Sequence, residues 1–339
     1  MAPHPYPTLD DLLAAARVVV VPMVTPFRGV TRREAVLLDG PTGWGEFAPF
    51  PEYPPVETAR WLASAVEAGW GGWPSPLRER VPVNVIVPAV PAGEAAALVR
   101  TGGGCRTAKV KVAEPGGSLD DDVARVDAVR AALDETGPGG RVRVDANGAW
   151  TVAQASVALP ELVAAAGGAE RFEYAEQPCR TLAEQAELRR LVDVRLAVDE
   201  GLRRAPDPAD VAGLREAADL LVLKVAPLGG VRPALRLAAE YGLPAVVSSA
   251  LETSVGLAAG VALAAALPSL PYACGLGSGR LLSTDVVPWT VRLLPSGGEL
   301  PVTRPEPDPG LLDELAAAPG RAIWWRSRLT AAYEIMTAP

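Results

Sequence analysis

The sequence predicts an α/β protein, a (β/α)8-type barrel with an α+β N-terminal capping domain. Three observations lead to this fold class. From about Val81 onward, short β-branched runs alternate with longer stretches rich in Ala, Leu, Glu and Arg, which is typical of a parallel sheet covered by helices. Eight such units can be counted, enough to close a barrel. Several runs end in charged residues, and the strand ends of a closed barrel meet at one mouth.

The predicted barrel strands are short and separated by helical segments. An open doubly wound sheet is the main alternative, but it would carry a glycine fingerprint after its first strand, and here Thr101-Gly102-Gly103-Gly104 precedes a strand. The predicted strands are 83–89, 107–112, 142–147, 172–177, 196–200, 220–225, 245–250 and 272–276. The predicted helices between them are 120–134, 152–165, 182–191, 208–217, 231–241 and 254–267.

The start of the chain has a different pattern, which predicts a separate capping domain over residues 1–80. The proline- and glycine-rich stretches 22–29 and 49–55 are predicted loops that fold over the barrel mouth. We expect the barrel at 81–287, and we expect residues 288–339, which contain no further strand and helix unit, to return to the cap or brace the barrel. The predicted antiparallel strands of the cap are 18–21, 34–38 and 43–47, followed by a helix at 56–68.

The composition indicates a globular protein in a reducing compartment. Of 339 residues, 49% are hydrophobic, which is enough for a large core. The 40 acidic residues outnumber the 32 basic ones, which leaves no basic patch for nucleic acid. The three cysteines lack metal-type spacing and argue against a disulfide framework. With neither a signal peptide nor a membrane-spanning stretch, we expect a cytoplasmic protein; the oligomeric state stays open, and a monomer is compatible with the sequence.

Five polar motifs end successive apolar runs, and together they predict one site. An unpaired charge at the end of a strand buried on both faces is costly unless a metal or partner compensates it. Each motif alone is weak, but their order of lysine, three carboxylates and lysine points to a site. The motifs are Lys109-Val110-Lys111, Asp145-Ala146-Asn147, Glu176-Gln177-Pro178, Asp199-Glu200 and Lys224 within Leu221-Val222-Leu223-Lys224-Val225.

Three carboxylates predict a metal site. Asp145, Glu176 and Asp199 would project from three neighbouring strands, a hard-oxygen set suited to Mg²⁺, for which Mn²⁺ is a chemically similar substitute. Asn147 shares a strand face with Asp145, because side chains two residues apart point the same way. We therefore expect a divalent metal at the mouth, with positions left open for water and a small carboxylate substrate.

The lysines predict acid–base chemistry on both sides of that metal. Lys111 comes from the strand before the carboxylates and Lys224 from the strand after them, so their amines would approach a bound substrate from opposite sides. Burial beside a cation disfavours the charged form of a lysine and allows it to act as a base. A carboxylate substrate that loses its α-proton becomes an enediolate, which a divalent metal stabilises.

These motifs resemble the enolase superfamily, specifically the muconate lactonizing enzyme subgroup, which carries lysines on both sides of the metal. The resemblance covers nearly the whole chain and implies a modified TIM barrel under a capping domain, with a Lys base and Mg²⁺. The matching motifs are Gly43-Trp44-Gly45-Glu46-Phe47-Ala48-Pro49, Lys109-Val110-Lys111, Arg143-Val144-Asp145-Ala146-Asn147, Tyr174-Ala175-Glu176-Gln177-Pro178, Val198-Asp199-Glu200, Leu223-Lys224 and Ser248-Ser249-Ala250-Leu251-Glu252-Thr253.

The resemblance also implies roles for residues around the carboxylates. Lys111 would remove the α-proton and then act as an acid on the same face, while Lys224 would stabilise the enediolate by its charge. Asn147 and Lys109 would orient or tune Lys111. Arg143, on the same strand as the first carboxylate, would support them as a hydrogen-bonding partner behind the site.

Within the superfamily, Pro26-Phe27-Arg28-Gly29 and a short first cap loop most resemble members that dehydrate 2-succinyl-6-hydroxy-2,4-cyclohexadiene-1-carboxylate to 2-succinylbenzoate in menaquinone biosynthesis. The single histidine, His4, precedes the barrel, which excludes a histidine-based racemase. The run 275–280 lacks the carboxylates of dipeptide epimerases. Ser249 and the backbone near Gly277 are the candidates for binding the succinyl carboxylate.

Two other functions stay open. Racemisation of N-succinylamino acids uses the same two lysines, one on each side of the α-carbon, and is an alternative main or side activity. A non-catalytic barrel that binds a carboxylate ligand is the alternative of another class. Such a barrel would be expected to have lost a lysine or a metal ligand, and none is missing.

Overall fold

A computed structural model describes residues 7–27 and 29–338, in which an antiparallel sheet lies beside the mouth of a parallel barrel. His4 and Arg28, which two of the predictions use, lie outside these ranges. No helix in the described ranges is both long enough and apolar enough to cross a membrane. All three cysteines are buried as free thiols.

The cap is a three-stranded sheet with one helix before it and one helix after it in the chain. Helix α1 (Leu9–Ala15) precedes it, and α2 (Pro55–Val66) follows it and packs on the third strand. This packing needs a glycine, because a Cβ on Gly45 would lie 2.1 Å from the Ala65 carbonyl oxygen. The strands are β1 (Ala16–Phe27), β2 (Val30–Gly40) and β3 (Gly43–Phe47), paired in that order as predicted.

After β4 (Arg80–Pro82), a seven-stranded parallel sheet forms most of the barrel, with strands adjacent in chain order. Their apolar side chains form one core with the helices outside. The strands are β5 (Val85–Val87), β6 (Thr107–Lys111), β7 (Arg141–Asp145), β8 (Phe172–Glu176), β9 (Leu196–Val198), β10 (Leu220–Leu223) and β11 (Ala245–Val247). The helices are α3 (Ala92–Arg100), α4 (Leu119–Glu135), α5 (Val152–Ala165), α6 (Leu182–Leu188), α7 (Glu200–Arg203), α8 (Leu214–Ala217), α9 (Val231–Tyr241) and α10 (Ser254–Ala266).

The eighth predicted strand, 272–276, is not a regular strand. Only Cys274 and Gly275 pair with the neighbouring staves, as isolated parallel bridges to Val83 and Ser248 that close the barrel. The segment is short because the residue before it at 271 is a proline, which has no N–H for a ladder, and a 3-10 turn (Gly277–Leu281) follows at once. We call these two residues and their bridges the seam.

Two other segments differ from the prediction. The helix expected at 208–217 is reduced to α8, because Asp207 Oδ1 accepts a hydrogen bond from Ala209 N at 2.9 Å in a local turn that competes with helix. The end of the chain forms two helices that we did not predict, α11 (Pro309–Glu314) and α12 (Pro319–Met336), after β12 (Glu299–Pro301) pairs with β4. Helix α12 packs on α2. The domain boundaries themselves stay a prediction.

Candidate active site

A pocket lies at the barrel mouth, where the predicted polar motifs meet a residue of the cap. Strand ends and the loop after β11 form most of its walls, and Phe50 from the cap closes one side. Five of the predicted site residues line this pocket: Lys109, Lys111, Asp145, Lys224 and Ser249. The remaining lining residues are Ile86, Ser248, Ala250, Leu251, Ser278 and Leu281.

The register of the sheet explains why the motifs meet. Lys111 is the direct partner of Asp145 across β6 and β7, and Asp145 is the partner of Glu176 across β7 and β8. Gln177 is fully buried and connects the end of β8 to the end of β9. Its Oε1 accepts hydrogen bonds from Asp199 N at 3.0 Å and from the backbone N at position 201 at 3.1 Å. The carboxylates therefore lie on consecutive staves.

Lys109 lies between two of the carboxylates. Its Nζ donates to Asp145 Oδ2 at 3.0 Å and to both carboxyl oxygens of Glu176 at 2.9 Å. Burial disfavours the charge of Lys109, but the two carboxylates outweigh burial and raise the pKa of Lys109 above its usual range. Burial and the charge of Asp145 together raise the pKa of Glu176 to about 7. Lys109 is thus an ion-pair partner of the carboxylates in this structure.

Lys111 lies next to the same aspartate, from the pocket side. Its Nζ donates to Asp145 Oδ2 at 2.6 Å and to Asn147 Oδ1. Asn147 in turn donates from Nδ2 to Glu200 Oε1 at 3.2 Å, which fixes the amide orientation. Although burial favours the neutral acid, Lys109 and Lys111 hold the pKa of Asp145 well below its usual range.

Lys224 approaches from the other side, through the third carboxylate. Its Nζ donates to Asp199 Oδ2 at 2.6 Å, while the other oxygen of Asp199 accepts from Arg203 Nε at 2.9 Å. Burial opposes ionisation, but Arg203 and Lys224 outweigh it and lower the pKa of Asp199 below its usual range. Arg203 also donates to the hydroxyl of Tyr53 in the cap at 3.0 Å. A cap residue therefore supports a carboxylate of the site.

The backbone at the mouth is unusual. In the described ranges, the non-glycine residues with positive φ are Ala113, Asn147, Gln177 and Leu251, at +61°, +47°, +39° and +67°. Each lies just beyond the carboxyl end of a barrel strand. Left-handed conformations of such residues are disfavoured and persist where the surroundings fix them, often at functional sites.

The three carboxylates are the type of ligand that Mg²⁺ prefers, although their oxygens are directed at lysine and arginine side chains. In the part of the chain that the structure describes, no three His, Cys, Asp or Glu side chains converge as a ready metal-binding group. The reason is that lysine and arginine side chains hold the carboxyl oxygens. Asp145, Glu176 and Asp199 are nevertheless three hard-oxygen donors, each at most 1% exposed, and their mutual repulsion is of the kind a divalent cation relieves.

The predicted supporting residues lie in two different places. Ser249 reaches the pocket and donates from Oγ to Ser278 Oγ at 2.6 Å. Gly277 packs beneath it, where a Cβ would lie 2.6 Å from the Asn84 carbonyl oxygen. Arg143 instead points toward the barrel floor.

Arg143 contacts one aromatic and one acidic side chain and a backbone carbonyl. Its Nη1 donates to the Tyr174 hydroxyl and to the Ala273 carbonyl, each at 2.8 Å, and its Nη2 lies 2.5 Å from Glu173. Tyr174 in turn packs edge-on against Tyr272. The support of the lysines that we predicted for Arg143 would therefore have to act through Tyr174.

Sequence reasoning missed several contacts of the site. Arg203, Gln177 and Ser278 were not assigned roles, although the last two fall inside segments named in the sequence analysis. For Arg203 a signal was present, because it lies four residues after Asp199 and ends a helical turn in which such pairs meet.

Two family models match the chain. The family described as "Enolase C-terminal domain-like" matches residues 92–315, and "Enolase N-terminal domain-like" matches residues 18–69. The first match alone covers more than half of the chain, and it includes all five polar motifs of the site.

Curated relatives are similar over nearly the full length. The chain is 57% identical over 318 residues to "o-succinylbenzoate synthase" of Thermobifida fusca, covering 93% of this chain and 95% of that protein. It is 50% identical over 336 residues to "o-succinylbenzoate synthase" of Mycobacterium ulcerans, covering 99% and 98% of the two chains.

A solved structure supports the fold. The muconate lactonizing enzyme from Pseudomonas fluorescens, complexed with muconolactone, superposes with a TM-score of 0.71 at 21% identity, covering 89% of this chain and 98% of that chain. The likeness at this identity concerns the barrel and cap architecture. On the family matches and the full-length relatives, the chain belongs to the o-succinylbenzoate synthases of the enolase superfamily.

Proposed function

We propose that the chain is a carbon–oxygen lyase that removes water from 2-succinyl-6-hydroxy-2,4-cyclohexadiene-1-carboxylate to give 2-succinylbenzoate, in menaquinone biosynthesis. The observation that carries the proposal is that Lys111 and Lys224 line one pocket, each hydrogen-bonded to a different carboxylate. The names of the full-length relatives support the substrate class.

In this proposal Lys111 is both base and acid. As a neutral amine it takes the proton from the carbon next to the ring carboxylate. The resulting ammonium then gives that proton to the departing hydroxyl group, which leaves as water, and the ring becomes aromatic. Asn147 accepts a hydrogen bond from Lys111 and so orients its Nζ, and Lys109 sets the local charge by its contacts with the carboxylates.

Lys224 acts by position and charge. Lys224 follows β10, which lies four strands from the β6 strand of Lys111, so it would reach the substrate from the opposite side. There its ammonium would stabilise negative charge that develops on the substrate and interact with the face of the ring. Arg203 binds the other oxygen of the same aspartate, and so its contact with Asp199 fixes where that carboxylate and Lys224 meet.

Enzymes of this superfamily generally use Mg²⁺, and we propose that Asp145, Glu176 and Asp199 hold it here, with Mn²⁺ as a substitute. When bound, the metal ion stabilises the charge that develops on the substrate carboxylate. The lysines that contact the same carboxyl oxygens in the structure would turn toward the substrate. Ser249, with Ser278 as its partner, and backbone near Gly277 are the proposed contacts of the succinyl carboxylate.

The experiment is incubation of the purified protein with Mg²⁺ and the cyclohexadiene substrate, following the loss of diene absorbance. We expect turnover that EDTA abolishes. Lys111→Ala should lower kcat by at least about 1,000-fold, because the base and acid are the same amine. Binding of Mg²⁺, measured by calorimetry, should persist in that variant.

The other functions give different results in the same assay series. Racemisation of an N-succinylamino acid without dehydration would favour the racemase, whose two-sided lysine geometry the pocket also provides. Binding of 2-succinylbenzoate without turnover in either assay would favour a carboxylate-binding barrel. Dehydration retained in Lys111→Ala would refute the assignment of the base.

A further inference from the structure

Two residues that the proposed chemistry does not use, Glu46 and Thr253, meet at one buried contact between cap and barrel. Glu46, in the Gly-Trp-Gly-Glu motif of β3, is 6% exposed and reaches the segment after β11. Its carboxyl accepts hydrogen bonds from Thr253 N at 3.2 Å, Thr253 Oγ1 at 2.5 Å and Gly256 N at 3.0 Å. A Cβ on Gly256 would lie 2.8 Å from that carboxyl, so the glycine gives it room.

A second buried side chain of the cap, on β2, holds the same segment. Arg33 is 2% exposed, and its Nε donates to the Leu251 carbonyl at 2.9 Å. Its Nη2 donates to the Ala250 carbonyl at 3.4 Å and to the Ala48 carbonyl, and the guanidinium lies 4.5 Å from the centre of the Phe50 ring. Arg33 thus joins the wall of the pocket formed by Phe50 to the wall formed by residues 249–251.

The held segment needs external support. Leu251 has a φ of +67°, which is disfavoured for a leucine. Within the segment, the Glu252 carboxyl accepts a hydrogen bond from Ala250 N at 2.8 Å, and the cap supplies the contacts from outside. A backbone conformation of this kind persists only where the surroundings fix it.

The same segment is part of the pocket wall. Ser249, Ala250 and Leu251 line the pocket together with Lys111 and Lys224. Neither Arg33 nor Glu46 lines it, so an influence of these residues on a ligand must pass through the segment.

We propose that Arg33 and Glu46 are positioning residues, through which the cap fixes the pocket wall 249–251 and so sets how tightly the pocket holds its substrate. The identity of the substrate rests on the proposed function; the contact between cap and wall does not. The expected signature is a change in KM and in product affinity with little change in kcat, since neither residue contacts Lys111.

A matched control exists in the same cap. Glu67 also places a carboxyl at the start of a barrel helix, accepting hydrogen bonds from Val231 N at 2.5 Å and Arg232 N at 3.0 Å. These partners do not line the pocket. Glu67 therefore shares the type of contact with Glu46 and lacks the connection to the wall.

The experiment compares Glu46→Ala and Arg33→Met with Glu67→Ala, and uses Glu46→Gln and Arg33→Lys as milder variants that keep a polar group. We expect the first pair to raise KM and weaken binding of 2-succinylbenzoate about tenfold, the effect of one well-placed hydrogen bond. In both, kcat should stay within about threefold. Glu46→Gln should restore most of the affinity, and Glu67→Ala should leave KM within about twofold.

Hydrogen exchange of the amides in 249–253 provides a readout without substrate. We expect faster exchange there in Glu46→Ala and Arg33→Met and unchanged exchange in Glu67→Ala. Unchanged exchange in either folded variant, Glu46→Ala or Arg33→Met, would overturn the positioning proposal. Equal loss of affinity in Glu67→Ala would overturn it as well. Absence of turnover in wild type, with the exchange result as expected, would instead count against the proposed function alone.

Discussion

The helices on the two sides of the barrel begin in different ways. Three helices of the first half carry their own capping boxes, in which the side chain before the helix and the third residue inside it bond each other's backbone: Ser118 with Asp121, Thr151 with Gln154, and Thr181 with Glu184. In the second half, α9 has no side-chain cap of its own, and both α9 and α10 receive carboxyl groups from the cap, Glu67 and Glu46.

This difference shows which barrel helices depend on contacts with the cap. The starts of α4, α5 and α6 are determined by residues within four positions of each other, so they form without the cap. The start of α9 has no side-chain cap and takes its carboxyl partner from about 160 residues away in the chain. Helix α10 has a cap of its own, since Thr253 Oγ1 accepts from Val255 N, and gains a further partner about 210 residues away. We therefore expect changes at Glu46 to affect stability and pocket together, and changes in the capping boxes to affect stability alone.

The largest effect is expected at Glu46. Glu46→Ala leaves Thr253 N, Thr253 Oγ1 and Gly256 N without an acceptor in a buried contact, which should lower the free energy of unfolding by about 3 kcal/mol. Urea unfolding at pH 7 measures this loss. A loss no larger than that of a capping-box variant would remove the distinction between the two halves.

A smaller effect concerns pH. Burial raises the pKa of Glu46 from 4.5 to about 8, so between these values the folded chain carries a proton that the unfolded chain has lost. The stabilisation from this group is therefore complete below pH 4.5 and declines as the pH rises toward 8. The variant Glu46→Gln has no ionisable group at this position.

Comparing the two proteins isolates this titration from that of Glu252, whose pKa burial also raises. We expect the stability of wild type relative to Glu46→Gln to fall by on the order of 2 kcal/mol between pH 5 and 8. Urea unfolding at both pH values provides the measurement. A difference that stays constant with pH would show that Glu46 is ionised in the folded protein throughout.

The smallest effect is expected in a capping box. Thr151→Ala removes the hydroxyl that accepts from Gln154 N at 3.3 Å, and should cost about 1 kcal/mol. Product affinity and exchange of 249–253 should not change, because α5 has its own cap. Measured weakening of product binding in this variant would contradict local capping in the first half.

The sequence allowed prediction of the parts that follow from local pattern. Strand periodicity and the order of motifs put Lys111, Asp145 and Glu176 on consecutive strand ends, and the register of the sheet matches that order. The predicted helix 152–165 has the bounds of α5, and Thr151 caps its start. In these places the residues that determine the structure are neighbours in the chain.

Other features depend on contacts between distant segments. Nothing near Lys109 indicates that it would lie between two carboxylates, because that depends on the distance to the next two strands. The contact of Glu46 with Thr253 spans 207 positions, and α12 is fixed by its packing on α2. Such features require coordinates, even where the motifs that take part are visible in the sequence.

The seam at Cys274 and Gly275 has a consequence for engineering. Adjacent regular strands of the barrel pair over two to five residues, whereas each side of the seam is a single bridge. A circular permutant whose new ends lie in the loop at 268–271 would therefore start and finish beside the thinnest joint of the wall. A cut there disturbs the part of the barrel wall with the fewest strand pairings. The strands that carry Lys111, Asp145 and Glu176 keep all of their pairings.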